Sequence, residues 1–315
     1  MPKVSVIVAT YNRCEMLKEA IDSVLAQTFH DWELIIVDDG SRDQTAEVVL
    51  AYAEKDKRIK FVRQTNAGCA AARNTALSHI TGAYVAFLDD DDTYLPGKLE
   101  KQAGYLDANP NVYLVYSEAE VIDKNNMRSG VVPKIPKESF AELLIGFPVP
   151  PTAMLVRREC FDKVGGFCTQ LRSGDDLDMW LRISRVYGIV FLPGKVALYK
   201  WHDTNLTLDE KRLTKSMCFI LKRLLRENLS DAEHSQVFKA AVQFTYHEAD
   251  DRFTHGHYKE ALFYYGQALE FSPFIGDFIS WSRFRNRLYR LIKPYIALVY
   301  CWVFSILLPY RGEIR

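Results

Sequence analysis

Apolar positions in the first ninety residues fall into two spacings that alternate along the chain. Val4 to Ala9, Leu34 to Val37 and Tyr84 to Leu88 are short, almost unbroken apolar runs, and Ile59 to Val62 is a fourth segment of the same length. Such runs are the mark of strands buried on both faces of a parallel sheet. Between the first two, Leu17, Ala20, Ile21, Val24 and Leu25 recur at i, i+3, i+4, i+7 and i+8, which predicts an amphipathic helix with Asn12 as its N-cap. Thr45 to Lys55 reads as a second helix, and a third opens at Asn66-Ala67-Gly68 and runs through Leu77. Strand and helix thus alternate four times at steps of roughly twenty residues, the pattern of an α/β fold with a doubly wound, mostly parallel sheet.

Right-handed crossovers bring the turns that follow such strands to one edge of the sheet. Thr10-Tyr11, Asp38-Asp39 and Asp89-Asp90-Asp91-Asp92 therefore share one crevice, at the strand ends where open α/β sheets bind ligands. Two unit charges about 4 Å apart repel by about 1 kcal/mol in water and about 4 kcal/mol at an effective dielectric near 20. Four adjacent carboxylates sheltered by protein thus call for a cation or for hydrogen-bond donors. A divalent-metal site that shares a ligand's oxygens fits this run, and so does a solvated turn, since Asp closes Asx-turns and caps helices. Asp92 suits the turn alone, just ahead of a helix start at Pro96-Gly97-Lys98-Leu99. A calcium-binding EF-hand loop does not fit, because Tyr94 stands where that loop needs Gly, Pro96 interrupts it, and a strand precedes it. Neither G-x-G-x-x-G after the first strand nor a G-x-x-x-x-G-K-[ST] segment is present, so any bound phosphate depends on a metal instead of a backbone cradle.

Beyond the Pro96 to Leu106 helix the pattern loosens. Val112 to Val121 reads as a strand, residues 124–151 as a proline-rich loop region with a short helix near Phe140 to Ile145, and Thr152 to Val156 as another strand. A helix from Arg158 to Val164 stops at Gly165-Gly166. The block Arg172-Ser173-Gly174-Asp175-Asp176-Leu177-Asp178-Met179-Trp180-Leu181-Arg182 opens a further helix, with Asp175 or Asp176 as its cap and Trp180 and Leu181 facing inward. Two short strands, Val190 to Leu192 and Val196 to Tyr199, lead to Trp201-His202.

Composition narrows the class. Forty basic and forty acidic residues cancel, so no global field recruits nucleic acid. The six cysteines show no C-x-x-C pair and suit a reducing compartment. The chain passes from Met1 directly into a strand, without the pattern of a signal peptide, so a cytoplasmic catalytic part is expected.

Six blocks stand in order: Val4-Ser5-Val6-Ile7-Val8-Ala9-Thr10-Tyr11-Asn12-Arg13, Val37-Asp38-Asp39-Gly40-Ser41, Asn66 to Asn74, Phe87 to Asp92, Gly165-Gly166-Phe167 with Asp175-Asp176 and Trp180-Leu181-Arg182, and Tyr199 to His202. Together they resemble the inverting family 2 glycosyltransferases of the GT-A fold, over about residues 3–205. The resemblance implies transfer of a sugar from a nucleotide-sugar donor, a UDP-sugar first of all, to a hydroxyl acceptor with the help of Mg²⁺ or Mn²⁺. It implies roles as well. Thr10 and Tyr11 would hold the donor's base, with Tyr11 stacking, Asp39 would bond the uracil edge, and Arg73 would lie against the nucleotide. Asp91 and His202 would ligate the metal. Asp89 and Asp90 would face ribose and metal-bound water, the four-acid run leaving their division open. Asp176 would be the base, in a sequence that reads Asp175-Asp176 where the family usually has Glu-Asp. Asp178 would be a solvated or a helix-start residue, and Arg172 either a contact to acceptor or diphosphate or a plain surface charge. A catalytically silent nucleotide-sugar sensor or scaffold is the alternative from another class.

From residue 206 the pattern becomes helical throughout, so two domains are expected, 1–205 and 206–315. Lys211 to Asn228 is a basic amphipathic helix, and Ser230-Asp231 caps the next. Gly256, Tyr258, Ala261, Tyr265, Ala268 and Pro273 reproduce half of one tetratricopeptide repeat. Such repeats need about three units to bury a core, so a single helical hairpin is expected, with His255 and His257 on its surface. Near the end, Arg283, Arg285, Arg287, Arg290 and Lys293 precede an uncharged stretch from Pro294 to Tyr310. A packing helix, an interfacial anchor and a short span all fit it. The basic flank with Tyr295, Tyr300 and Trp302 points to a membrane surface as a partner, on the inner face, and a glycan or lipid-linked acceptor would suit that setting.

Overall fold

The computed structural model describes residues 1–269 apart from positions 124, 126, 135, 145–148, 204 and 206–208. The apolar, basic-flanked segment 283–315 and Pro273 lie outside the described residues. The chain divides into two compact units, Met1–Asp209 and Glu210–Arg315.

The first unit opens with β1 (Val4–Thr10), α1 (Cys14–Leu25), β2 (Trp32–Asp38), α2 (Thr45–Lys55), β3 (Ile59–Arg63), α3 (Cys69–Leu77) and β4 (Tyr84–Phe87), the predicted alternation. It continues through β5 (Thr93–Tyr94), α4 (Lys98–Ala108), β6 (Leu114–Ile122), β7 (Arg128–Val132), α5 (Phe140–Leu143), β8 (Met154–Arg157), α6 (Glu159–Val164), α7 (Asp175–Tyr187) and β9 (Val190–Lys200). The strand order is β3-β2-β1-β4-β8-β6-β9-β5, with β7 paired to β6. The half formed by β3, β2, β1 and β4 is wholly parallel. Antiparallel β8 joins it to β6, which runs parallel to β9.

Alternation along these strands feeds two apolar layers. Val4, Val6, Val8, Leu34, Ile36, Ala86 and Leu88 pack with Leu17, Ala20, Ile21 and Val24 of α1 and with Leu99, Ala103 and Leu106 of α4. On the other side, Phe87 meets Trp180 edge-on at 5.3 Å, Phe167 at 5.7 Å and Phe161 at 6.2 Å. Each such ring pair adds about 0.5–1.5 kcal/mol beyond its burial. They fix α7, and hence its first turn, against the strand that ends in the acid run.

The later strands depart from the sequence reading. Val190 to Tyr199 forms one strand instead of two, because the pairing with β6 continues across Pro193-Gly194 through shifts of register, Lys195 lying opposite Glu118. A 3₁₀ turn at Pro151–Ala153 precedes β8, so Thr152 belongs to a turn. Helix α7 has neither aspartate as its cap. Its N-cap is Gly174, at φ 72°, a left-handed conformation that a side chain disfavours, and Asp175 and Asp176 lie inside the first turn.

In the second unit, α8 (Glu210–Leu225) buries Met217, Ile220, Leu221 and Leu224. Ser230 closes a capping box with Glu233 ahead of α9 (Asp231–Val242). After a π-helical turn, α10 (Glu248–Thr254) and α11 (Tyr258–Leu269) form a hairpin around Ala249, Ala261, Tyr264 and Tyr265. Among the described residues no helix is long and apolar enough to cross a membrane.

Candidate active site

The crevice is riveted at the ends of β1 and β2. The Asp39 N–H donates to the Thr10 carbonyl at 2.9 Å. Asn12, at φ 54°, donates its N–H to Ser41 Oγ at 2.8 Å, and its Oδ1 accepts from the Arg42 N–H at 2.7 Å. Asn12 therefore joins two loops instead of capping α1, whose N-cap is Arg13 without a side-chain cap bond. Thr10 is buried beside Asp39, while Tyr11 stands 43% exposed at the mouth. The buried Asp39 carboxylate gathers the loop before α3: Oδ1 accepts from Gln64 Nε2 at 2.7 Å and the Ala67 N–H at 2.9 Å, and Oδ2 from the Gly68 N–H at 2.8 Å. A carboxylate has about four acceptor positions, so Oδ2 keeps capacity for a donor on a ligand.

The acid run after β4 draws basic side chains from distant parts of the chain. Arg13 Nη1 lies 2.9 Å from Asp90 Oδ1 and 2.5 Å from Asp91 Oδ2. His202 Nε2, just beyond β9, lies 2.9 Å from the same Asp91 oxygen. Arg73 of α3 forks between Asp89 Oδ1 and Asp175 Oδ2, at 2.7 Å each, with its guanidinium 5.5 Å from the Phe167 ring centroid. Asp92 is fully buried and is no solvated turn. It accepts from Thr152 Oγ1 at 2.6 Å and from the Lys200 N–H at 3.0 Å, which clasps the acid run to β9.

Burial is the largest influence on these acids. It pushes Asp90 up to about 6 although Arg13 pulls the other way, with the charge of Asp91 adding to the rise. Burial also raises Asp176 to about 6, helped by the charge of Asp175 and opposed by Arg73. Asp89 is raised by burial against the pull of Arg73, and Asp92 is driven well above the carboxylate range by burial and then by Asp91 and Asp89.

Asp176 accepts the Leu177 N–H on Oδ1 at 2.8 Å. Asp178 lies in the first turn of α7, the helix-start alternative, and it is fully buried and bonded to Arg182 Nε at 3.0 Å. Arg182 also donates to the Val164 and Gly166 carbonyls, tying α7 to the end of α6. At Gly166 an added Cβ would stand 2.5 Å from Asn74 Oδ1, the atom that accepts the Phe167 N–H at 2.7 Å. Glycine there lets α3 and the loop after α6 close on each other. Arg172 is exposed.

The fold thus brings Thr10, Tyr11, Asp39, Arg73, Asp89, Asp90, Asp91 and His202 to one edge of the sheet, with Asp176 linked to them through the Arg73–Asp175 pair. Sequence reasoning missed three members. Arg13 is the cation on Asp90 and Asp91, Asp175 anchors Arg73, and Thr152 holds Asp92. Arg13 closes the first sequence block, which was the only signal available for it.

Asp91 and His202 touch each other directly, at 2.9 Å, and a carboxylate beside an imidazole is a donor pair that a divalent ion can share. Among the described residues no group of three or more His, Cys, Asp or Glu side chains could hold one. A pair alone fits the Mg²⁺ pattern, in which one or two carboxylates are supplemented by substrate phosphates and water.

Residues 5–165 match the model of Glycosyl transferase family 2. The chain is 32% identical over 252 residues to the uncharacterized glycosyltransferase RP339 of Rickettsia prowazekii, covering 73% of this chain and 78% of that one. It is 41% identical over 125 residues to the Escherichia coli UDP-Glc:alpha-D-GlcNAc-diphosphoundecaprenol beta-1,3-glucosyltransferase WfgD, covering 39% and 48%. S. aureus TarS 1-349 in complex with UDP-GlcNAc superposes with a TM-score of 0.71 at 20% identity, over 98% of this chain and 93% of that one. The fold is GT-A. The chain is a glycosyltransferase and belongs to glycosyl transferase family 2.

Proposed function

We propose that the protein transfers a sugar from a UDP-sugar to a hydroxyl acceptor with inversion at the anomeric carbon, in the presence of Mg²⁺ or Mn²⁺. The observation that carries this reading is the direct contact of His202 Nε2 with Asp91 Oδ2, at 2.9 Å, at the edge of a crevice already lined by Asp39 and Tyr11. Asp39 Oδ2 accepts a donor on the uracil edge, and Tyr11 stacks on the ring. Asp91 and His202 would hold the ion, and Asp89 and Asp90 would serve the ribose and metal-bound water. When bound, the ion offsets the negative charge that grows on the departing diphosphate. Arg73, with its fork engaged by Asp89 and Asp175, sets the spacing between the donor floor and α7.

Asp176 is the base. With Oδ1 held by the Leu177 N–H, Oδ2 is left to take the acceptor's proton. The hydroxyl oxygen bonds to the anomeric carbon as the bond to the diphosphate breaks, and the electron pair leaves with the nucleoside diphosphate. A base in the range of about 6 is ionised at neutral pH yet keeps driving force for the transfer. Residues 1–205 carry these steps. WfgD is named for a diphosphoundecaprenol-linked acceptor, and a glycan or lipid-linked acceptor is the class we assign here, in polysaccharide biosynthesis, with segment 283–315 meeting the membrane surface.

The test is a panel of nucleotide sugars scored for Mn²⁺-dependent release of UDP, GDP or dTDP. Release of UDP that vanishes with chelator is expected. Release undiminished by chelator, or of GDP or dTDP alone, would contradict the reading.

A further inference from the structure

We infer that Arg13 holds the place of the divalent cation until a diphosphate arrives, so that metal and nucleotide enter the site together. The inference rests on the proposed use of a divalent ion at Asp91. A single nitrogen, Nη1, bridges Asp90 Oδ1 and Asp91 Oδ2, and the latter oxygen also meets His202 Nε2. Asp91 Oδ2 thus has both of its acceptor positions engaged. His202 would give up its hydrogen bond to this oxygen to ligate the ion, which frees one position, but an ion placed there still meets the Arg13 charge on the same oxygen. Arg13 is therefore the group whose presence opposes the ion.

Arginine cannot leave by losing its proton, because it stays charged at any working pH. It must move, and it must find another anion. Its side chain is 26% exposed, on a loop at the mouth of the crevice. Its side-chain hydrogen bonds to described residues run through Nη1. The rest of the guanidinium fork makes no hydrogen bond to a described carboxylate, and a fork of this shape suits phosphate oxygens. A nucleoside diphosphate supplies both requirements, since it gives Arg13 a new partner and gives the ion its remaining ligands. Without the nucleotide, a divalent ion meets a fixed positive charge on the oxygen it needs. Metal affinity and nucleotide affinity are therefore coupled, and by linkage each raises the other by the same factor.

The experiment measures Mn²⁺ binding by calorimetry and by the loss of the free-ion electron paramagnetic resonance signal, with and without UDP, for the full chain and for Arg13→Gln. The full chain should bind Mn²⁺ at least tenfold tighter with UDP present. Arg13→Gln should bind Mn²⁺ alone at least tenfold tighter than the parent, and UDP should then add less than it adds to the parent. Arg13→Met keeps the apolar stem without the charge. It serves if Arg13→Gln does not fold, and it should behave in the same way. Mn²⁺ binding that is unchanged or weaker in both variants, with the parent's dependence on UDP intact, would overturn the inference and leave the metal site standing. A parent that binds no Mn²⁺ even with UDP would instead remove the proposed metal site itself.

Discussion

Glu33 and Asp90 are buried acids at opposite ends of the same parallel half-sheet, and their surroundings push them apart. Glu33, near the start of β2, accepts from Ser5 Oγ at 2.6 Å, from Lys60 Nζ at 2.5 Å, and from both the N–H and the hydroxyl of Thr81. Burial alone would raise it, yet these donors bring it down to about 2. Asp90 and Asp176, at the C-terminal edge, are raised to about 6 because burial and neighbouring acids outweigh the guanidinium each one faces. One edge satisfies its carboxylate and holds strands together. The other crowds carboxylates beyond the cations available and leaves them ready to bind charge or take a proton.

Ways to break this contrast run from large effects to small. Asp176→Asn should cut sugar transfer by about 10²–10⁴-fold while sparing UDP binding. A variant that transfers as fast as the parent would remove the base assignment. In chemical unfolding at pH 7 the two edges should then respond with opposite signs. A depressed carboxylate contributes stability that is complete above its unfolded value and is lost as pH falls through its folded one. Glu33→Gln should therefore destabilise the protein at pH 7, with the gap closing toward pH 2. A shift of this size corresponds to about 3 kcal/mol, and the partly exposed Lys60 partner trims it to about 1–2 kcal/mol. For a raised carboxylate the sign reverses. Below about pH 3 Asp176 is protonated in both states, and its cost grows as pH rises toward about 6. Asp176→Asn should thus stabilise the fold at pH 7 by about 1–3 kcal/mol, with the gain gone by about pH 3. Destabilisation at pH 7 would show that this edge is built for packing instead.

Local pattern carried most of the fold and the polar edge of the crevice. The four short runs, the period of α1 and the acid run after β4 are all readable within a few residues, and the structure places them as expected. Long-range partners were not legible. The i,i+4 spacing of Asp178 and Arg182 allows their pair, but nothing local announces that it is buried, and nothing near Asp92 points to Thr152 or to the end of β9, 108 residues on. Arg13 meets Asp90 and Asp91 across 77 and 78 residues, because adjacent parallel strands deliver both turns to one edge. Asn12 read as a cap because Asn favours caps, but its left-handed backbone turned the side chain to the neighbouring loop. In each case tertiary pairing decided between options that the local sequence left open.

The central claim is that the raised carboxylate at Asp176 takes the acceptor's proton. The transfer rate of the wild-type protein, measured at saturating donor and Mn²⁺ from pH 4.5 to pH 8, tests it most directly. The account predicts a plateau above pH 7 and a fall of about tenfold per pH unit below a midpoint near 6. A rate that stays flat down to pH 5 in folded protein would contradict it.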